Sequence, residues 1–230
     1  MTEIIQIDEN TWRIEDMYVR FFLIAGDDRA VLLDSGINTP NAKEIAEKLT
    51  DKPIMLVNTH GDMDHASGTG AFDEIHMAKE DYYNCALAER FPDTKLVELK
   101  DGDTIDLGGR TLEAITVPGH TKGSVAILDT EKRVLYAGDT VQSGHIFMFG
   151  PHRAPDMFAD ALGKLIGEAD RYDKIIASHD NPELDGDYAS KVLESWNEVW
   201  AGKYEGSDIM LHGMMVKSYD AKYCGFYCES

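Results

Sequence analysis

Thr59-His60-Gly61-Asp62-Met63-Asp64-His65 places four potential metal ligands within six residues, directly after the apolar run Pro53-Ile54-Met55-Leu56-Val57. Imidazole and carboxylate suit Zn, Fe or Mn, and the end of a short buried strand can aim several such groups into one pocket. Further candidates lie outward along the chain. His120 sits in Val117-Pro118-Gly119-His120-Thr121-Lys122-Gly123-Ser124, Asp139 in Tyr136-Ala137-Gly138-Asp139-Thr140, and His179 in Ile175-Ile176-Ala177-Ser178-His179-Asp180. Each follows an apolar or β-branched run, so each is expected to project from a sheet edge, where loops carry chemistry on a rigid scaffold. A single His after a strand is ordinarily a surface or hydrogen-bonded residue. Four such segments, in this order and with these glycines, form a stronger signal.

The surrounding pattern gives the architecture. Strand-like runs occupy residues 4–7, 12–14, 19–25 and 30–33, with Gly26-Asp27-Asp28 as a hairpin turn. Thr39 reads as a helix N-cap with Pro40 at the first helical position, and Ile45 and Leu49 fall on one face. Residues 54–57 and 75–78 read as strands and 79–89 as a helix. Strands at 111–117, 124–129 and 134–137 follow, with turns at Gly108-Gly109 and Thr130-Glu131-Lys132. Helices are expected at 155–167 and 187–200, a strand at 174–177, and β-like structure from Met214 to Cys228. Strands in two batches, each followed by helices, suit an α/β layered fold of two packed sheets with helices outside. With no linker or repeat in view, one domain over residues 1–230 is expected.

Composition narrows the partners. The chain has 230 residues, 43% of them hydrophobic, and a formal net charge of −20. It is long enough to bury a proper core, and its acidity argues against nucleic acid and anionic membrane surfaces. No apolar run approaches the roughly 20 residues of a membrane span. Met1-Thr2-Glu3-Ile4-Ile5-Gln6 lacks a signal-peptide pattern. With three cysteines (Cys85, Cys224 and Cys228), this predicts reduced thiols in a cytoplasmic protein. The Cys224-x-x-x-Cys228 pair has no second Cys/His pair nearby in sequence to complete a four-ligand site.

Taken together, the segments resemble the metallo-β-lactamase fold superfamily: His-x-His-x-Asp-His, a Pro-Gly-His segment, Gly-Asp and a final His. Leu32-Leu33-Asp34-Ser35-Gly36 matches the Asp-x-Gly that precedes the cluster in that family. The resemblance implies an αββα sandwich of two mixed β-sheets flanked by helices. It implies one metal held by His60, the residue at position 62 and His120, and a second held by Asp64, His65 and His179. Asp139 would bridge the two, as in the hydroxyacylglutathione hydrolase and lactonase branches, and Asp34 would support the cluster from behind. The chain departs from the pattern at Asp62, where most relatives have His. Asp62 is either an oxygen ligand or too short to reach, and ligation is the favoured expectation. An oxygen-richer site favours harder ions such as Mn or Fe, although Zn remains the first expectation for two divalent ions.

The implied activity is hydrolysis of a small-molecule ester, thioester, lactone or phosphodiester, with a hydroxide shared by two metals as nucleophile and Asp64 as the catalytic proton acceptor. Two other readings stand beside it. One is a di-iron redox protein resembling the flavodiiron core, which has an acidic residue at the corresponding position. The other is a non-catalytic metal-binding module. For substrate contacts, the loop from Gln142 to Arg153 is the candidate: His145, Phe147, Phe149, His152 and Arg153 are placed to form a lip binding an apolar group beside an anionic one. Tyr223, Phe226 and Tyr227 could do the same or simply pack. His76 and His212, outside every motif, are expected to be structural, and Lys122 to face solvent.

Overall fold

Val19–Ala25 is buried along its whole length, and so is Val125–Asp129. Strands buried on both faces belong inside a layered structure. The computed structural model describes residues 2–39 and 41–230. In sequence order its first sheet comprises β1 (Glu3–Asp8), β2 (Thr11–Asp16), β3 (Val19–Ala25), β4 (Ala30–Leu33), β5 (Ile54–Val57), β6 (Glu74–Met77) and β7 (Lys95–Glu98). The first four form an antiparallel meander, and β4 through β7 continue in parallel. The second sheet has the order β14-β13-β11-β10-β9-β8, from β8 (Thr104–Asp106), β9 (Thr111–Thr116), β10 (Val125–Asp129), β11 (Val134–Tyr136), β13 (Lys174–Ile176) and β14 (Glu183–Asp185).

Alternation of side chains along each strand produces the layers. From β3, Phe22 and Ile24 point between the sheets, where they meet Leu112, Ala114, Val125 and Ile127. Phe21 and Leu23 point the other way, onto α1 (Ala42–Leu49) through Ala42 and Ala46. The outer face of the second sheet is covered by α5 (Phe158–Gly167) and α6 (Tyr188–Trp200), with Phe158, Leu162, Val192 and Trp196 against Ala126 and Leu128. Each large side chain buried in this way contributes roughly 1.5–3 kcal/mol. Helix–sheet–sheet–helix layering is thus as expected.

Several local expectations are corrected. Among the described residues there are three sheets, not two: β12 (His145–Met148), β15 (Ser207–Leu211), β16 (Met214–Asp220) and β17 (Gly225–Glu229) form a third, in the order β12-β17-β16-β15. The expected loop from 142 to 153 therefore contains a strand, held in parallel register by β17. The helix expected at 79–89 is broken by the left-handed backbone of Ala86, giving α3 (Lys79–Asn84) and α4 (Leu87–Arg90). Pro40 lies outside the described residues, and the helix expected to be capped at Thr39 begins at Ala42 after Asn41. Strands β7, β8, β14 and β15 go beyond the expected set; each is only three to five residues long, too short for a clear period-2 pattern.

A bolt joins the first two sheets. Arg110, before β9, donates to Asp129 at the end of β10, to the Asn10 and Ala25 carbonyls and to Thr11 Oγ1, with the shortest contact 2.5 Å to Asp129 Oδ2. Because β9, β11 and β13 all run the same way, the loops after them open at one edge. The loops after β4 and β5 open there too, which brings every candidate ligand to one place.

Candidate metal centre

Two triads converge at that edge: His60, His120 and Asp139, and Asp64, His65 and His179. The first strand end to matter is that of β4. Asp34 follows it with a left-handed φ of 64°, a conformation Asp tolerates better than most residues. Its Oδ1 accepts from the Thr59 amide at 2.8 Å; its Oδ2 accepts from the Thr59 hydroxyl at 2.9 Å and from His65 Nδ1 at 2.8 Å. Since the Thr59 hydroxyl gives its proton to Asp34, its oxygen is free to accept from His60 Nδ1 at 3.0 Å. His120 Nδ1 lies 2.9 Å from the Phe147 carbonyl, and His179 Nδ1 lies 2.8 Å from the Tyr18 carbonyl. All four imidazoles are therefore pinned through Nδ1, so each turns its Nε2 to the centre.

What faces those Nε2 atoms is carboxylate. His65 Nε2 is 3.3 Å from Asp139 Oδ1 and 3.8 Å from Asp64 Oδ2; His179 Nε2 is 3.3 Å from Asp139 Oδ2 and 3.5 Å from Asp64 Oδ2. His120 Nε2 stands 3.2 Å from Asp62 Oδ2 and 3.6 Å from Asp139 Oδ2, and His60 Nε2 stands 3.8 and 4.0 Å from the same two atoms. Asp139 thus touches both triads. Gly138 before it adopts φ +53°, and a Cβ there would come 2.9 Å from Thr59 Oγ1, which accounts for the Gly-Asp sequence.

The residues fit a divalent cation. His65 Nε2 and His179 Nε2 are 3.3 Å apart, and with both Nδ1 hydrogens committed to oxygen acceptors this close approach requires positive charge between the rings, as a shared proton or a metal ion. His60 Nε2 and Asp139 Oδ1 are buried without a hydrogen-bond partner, a costly state unless a ligand engages them. Burial, with the charge of His65, pushes His60 below its ordinary pKa and keeps it neutral. Burial also disfavours the His65 cation, but Asp139, Asp64 and Asp34 outweigh it and raise His65 well above the usual value. Burial would raise Asp139; the neighbouring His179 and His65 overcome that and hold its carboxyl well below the usual range.

Asp62 has a partner that sequence reading did not supply. Its Oδ2 accepts a 2.7 Å hydrogen bond from Arg153 Nη2, and Arg153 Nη1 is 3.4 Å from His120 Nε2. Burial would raise Asp62, yet the His120 hydrogen bond, the nearby His60 and Arg153 together hold it well below the ordinary carboxylate range.

Two other contributors went unrecognised in the sequence. Asp81, on α3 and fully buried, accepts from the amides of Gly61 and Gly123 and from the Thr121 hydroxyl, tying the His60 loop to the His120 loop. Burial, reinforced by the charge of Asp62, raises its pKa against the pull of those donors. A Cβ at Gly61 would lie 2.8 Å from Cys85, so this tie requires glycine there. Tyr18, whose carbonyl holds His179, had no motif to mark it.

A cavity of about 720 Å³ opens over the centre. Asp62, Asp64, His120, Asp139 and His179 reach it from below. The expected lip residues His145, Phe147, Phe149, His152 and Arg153 all line it. Strand alternation explains this: Ile146 and Met148 are buried in the core, leaving His145 and Phe147 on the cavity side. Leu211, His212 and Met214 at the tip of the β15–β16 hairpin line it as well, where His212 and Gly213 both have positive φ. His212 is thus a cavity residue, packed edge-on to Phe147, not the purely structural residue expected. Tyr227 lines the cavity too, whereas Phe226 is core, and the Tyr223 carbonyl accepts from Tyr188. His76 lies in β6 away from the site, Lys122 is exposed, and neither Cys224 nor Cys228 joins a ligand group among the described residues. No helix among the described residues is long and apolar enough to cross a membrane.

Comparison with known proteins agrees with this geometry. Residues 15–205 match the metallo-beta-lactamase superfamily. Similar proteins include acyl-coenzyme A thioesterase MBLAC2 of Homo sapiens, 24% identical over 201 residues that cover 70% of this chain and 72% of that one. Another is hydroxyacylglutathione hydrolase of Nostoc punctiforme, 28% identical over 207 residues covering 84% and 78%. In fold, a metallo-beta-lactamase from Pontibacter korlensis aligns with a TM-score of 0.72 over 86% of this chain and 99% of that one, at 19% identity.

Proposed function

Because this chain belongs to the metallo-beta-lactamase superfamily, we propose that it is a metal-dependent hydrolase, acting as one domain over residues 1–230, whose substrate is a small-molecule thioester or related ester. The observation that carries the reading is the pair of Nε2 atoms of His65 and His179, 3.3 Å apart and ringed by Asp64 and Asp139. His60, Asp62 and His120 would hold one divalent ion and Asp64, His65 and His179 a second, with Asp139 between them. Zinc is the first candidate, with Mn or Fe the harder alternatives for a three-carboxylate set. When bound, such ions activate a water and polarise the oxygen of a scissile carbonyl.

The protein's own residues do the rest. Asp34 and the Phe147 and Tyr18 carbonyls fix the imidazole tautomers before any ligand arrives. Asp64 faces the cavity, where it can orient a water and accept its proton. Phe147, Phe149, Leu211 and Met214 offer an apolar wall for an acyl group and exclude solvent from it, while His145, His152 and His212 meet the polar portion. The thioester preference draws on the similarity to an acyl-coenzyme A thioesterase and a hydroxyacylglutathione hydrolase.

The test is a panel of acyl-coenzyme A, S-acylglutathione, lactone, aryl ester and phosphodiester substrates, offered to protein stripped of metal and then reloaded with Zn, Mn or Fe. Metal-restored hydrolysis, highest on the thioesters, is expected. No metal-dependent hydrolysis of any of them would overturn the proposal.

A further inference from the structure

Arg153 occupies the first triad's coordination space. Its Nη2 donates to Asp62 Oδ2 at 2.7 Å, and its Nη1 lies 3.4 Å from His120 Nε2. Both contacted atoms are the ones those residues would offer to a metal: the same Asp62 oxygen faces His120 at 3.2 Å and His60 at 3.8 Å, and the His120 Nδ1 hydrogen is already committed to Phe147. A guanidinium stays charged at any ordinary pH. Among the described residues no arginine or lysine pairs with the second triad: Asp64, His65 and His179 meet one another, Asp139, Asp34 and the Tyr18 carbonyl.

We infer that Arg153 is a resident cation that competes with metal for the His60/Asp62/His120 site, so that the two sites load unequally and the Asp64/His65/His179 site fills first. The inference rests on the metal-centre reading above. Its physical basis is twofold. A divalent ion entering the first site must break the Arg153–Asp62 bond, and while the guanidinium stays within a few ångströms it repels the incoming charge. Asp62 and Arg153 thus act together: the carboxylate that stands in place of an imidazole pairs with the guanidinium by charge, which a neutral imidazole cannot do. Arg153 lines the cavity of about 720 Å³ over the centre, so the side chain has space to withdraw into when the site is filled.

The experiment is titration of metal-free protein with Zn²⁺ by calorimetry, with bound metal counted after dialysis. Wild-type protein should show one tight and one weaker equivalent, separated by roughly tenfold or more. Arg153→Met should tighten the weaker equivalent by a similar factor and leave the tight one within about twofold. Arg153→Gln, which keeps the side chain polar but uncharged, should do the same, and serves if the methionine variant folds poorly. His179→Ala should abolish the tight class, which assigns it. Equal loading of both sites in the wild type, or no change in either Arg153 variant, overturns the inference while leaving the metal centre intact. Absence of any Zn²⁺ binding in every folded protein overturns the metal-centre reading itself.

Discussion

Asp34 Oδ2 lies 2.8 Å from Nδ1 of His65, and both groups are almost completely buried. The same carboxylate holds Thr59 and, through it, His60, so one side chain sets the orientation of an imidazole in each triad. In Asp34→Asn the amide can accept through only one end and presents a donor at the other. Metal affinity should fall by about 10–100-fold, read by calorimetric titration. An unchanged affinity would mean that the rings are oriented by packing alone.

Asp81 predicts a different outcome, in stability. Asp81→Ala leaves the Gly61 and Gly123 amides and the Thr121 hydroxyl without their acceptor in a buried place. The expected loss is about 3 kcal/mol or more, seen as a lower urea midpoint with an unchanged slope. A loss under about 0.5 kcal/mol, the range of an ordinary surface change, would show that the two loops do not depend on this tie.

For the cavity, Phe147 is the decisive side chain. It packs against Phe149, Tyr227 and His212, while its backbone carbonyl holds His120. Phe147→Ala keeps the carbonyl and removes the wall, so KM for an apolar acyl thioester should rise roughly tenfold with kcat little changed. A fall in kcat at constant KM would assign the ring to the reaction instead of to binding.

His76 supplies a pH signature away from the centre. Burial lowers its pKa below the ordinary value near 6.5, opposed in part by Glu74. The folded protein therefore favours the neutral ring. Its contribution to stability is present above about pH 6.5 and is lost as the pH falls through the unfolded-state value, because the unfolded chain then binds the extra proton. Metal-free His76→Gln should lose less stability than the metal-free wild type between pH 7 and 5.5, measured by urea midpoints. Parallel loss in both would place the titration elsewhere.

The candidate ligand cluster was legible in the sequence because its segments follow apolar strands, and strand ends are locally encoded. His60, Asp64, His65, His120, Asp139 and His179 converge as their motifs imply. The layers were legible for the same reason: residues 19–25 and 125–129 are apolar throughout. Contacts that depend on distant pairing were hidden. Arg153 meets Asp62 across 91 residues, and nothing in either segment names the other. Asp81 looks like any helix carboxylate until the fold brings two glycine amides to it. His212 becomes a cavity residue only because the third sheet brings the tip of the β15–β16 hairpin against Phe147 of β12. Tyr18 acts through its carbonyl, an atom every residue has.

The parallel pairing of His145–Met148 with Gly225–Glu229 has a consequence for how the protein comes into being on the ribosome. His179, the last residue of the two triads, is made well before the strand that pairs with Phe147 and His145. At synthesis rates of about 5–20 residues per second, the nascent chain spends some seconds with its ligands complete and its selective wall unassembled. Reactivity and selectivity are therefore separate events in the life of each molecule, and the final strand decides when the second begins.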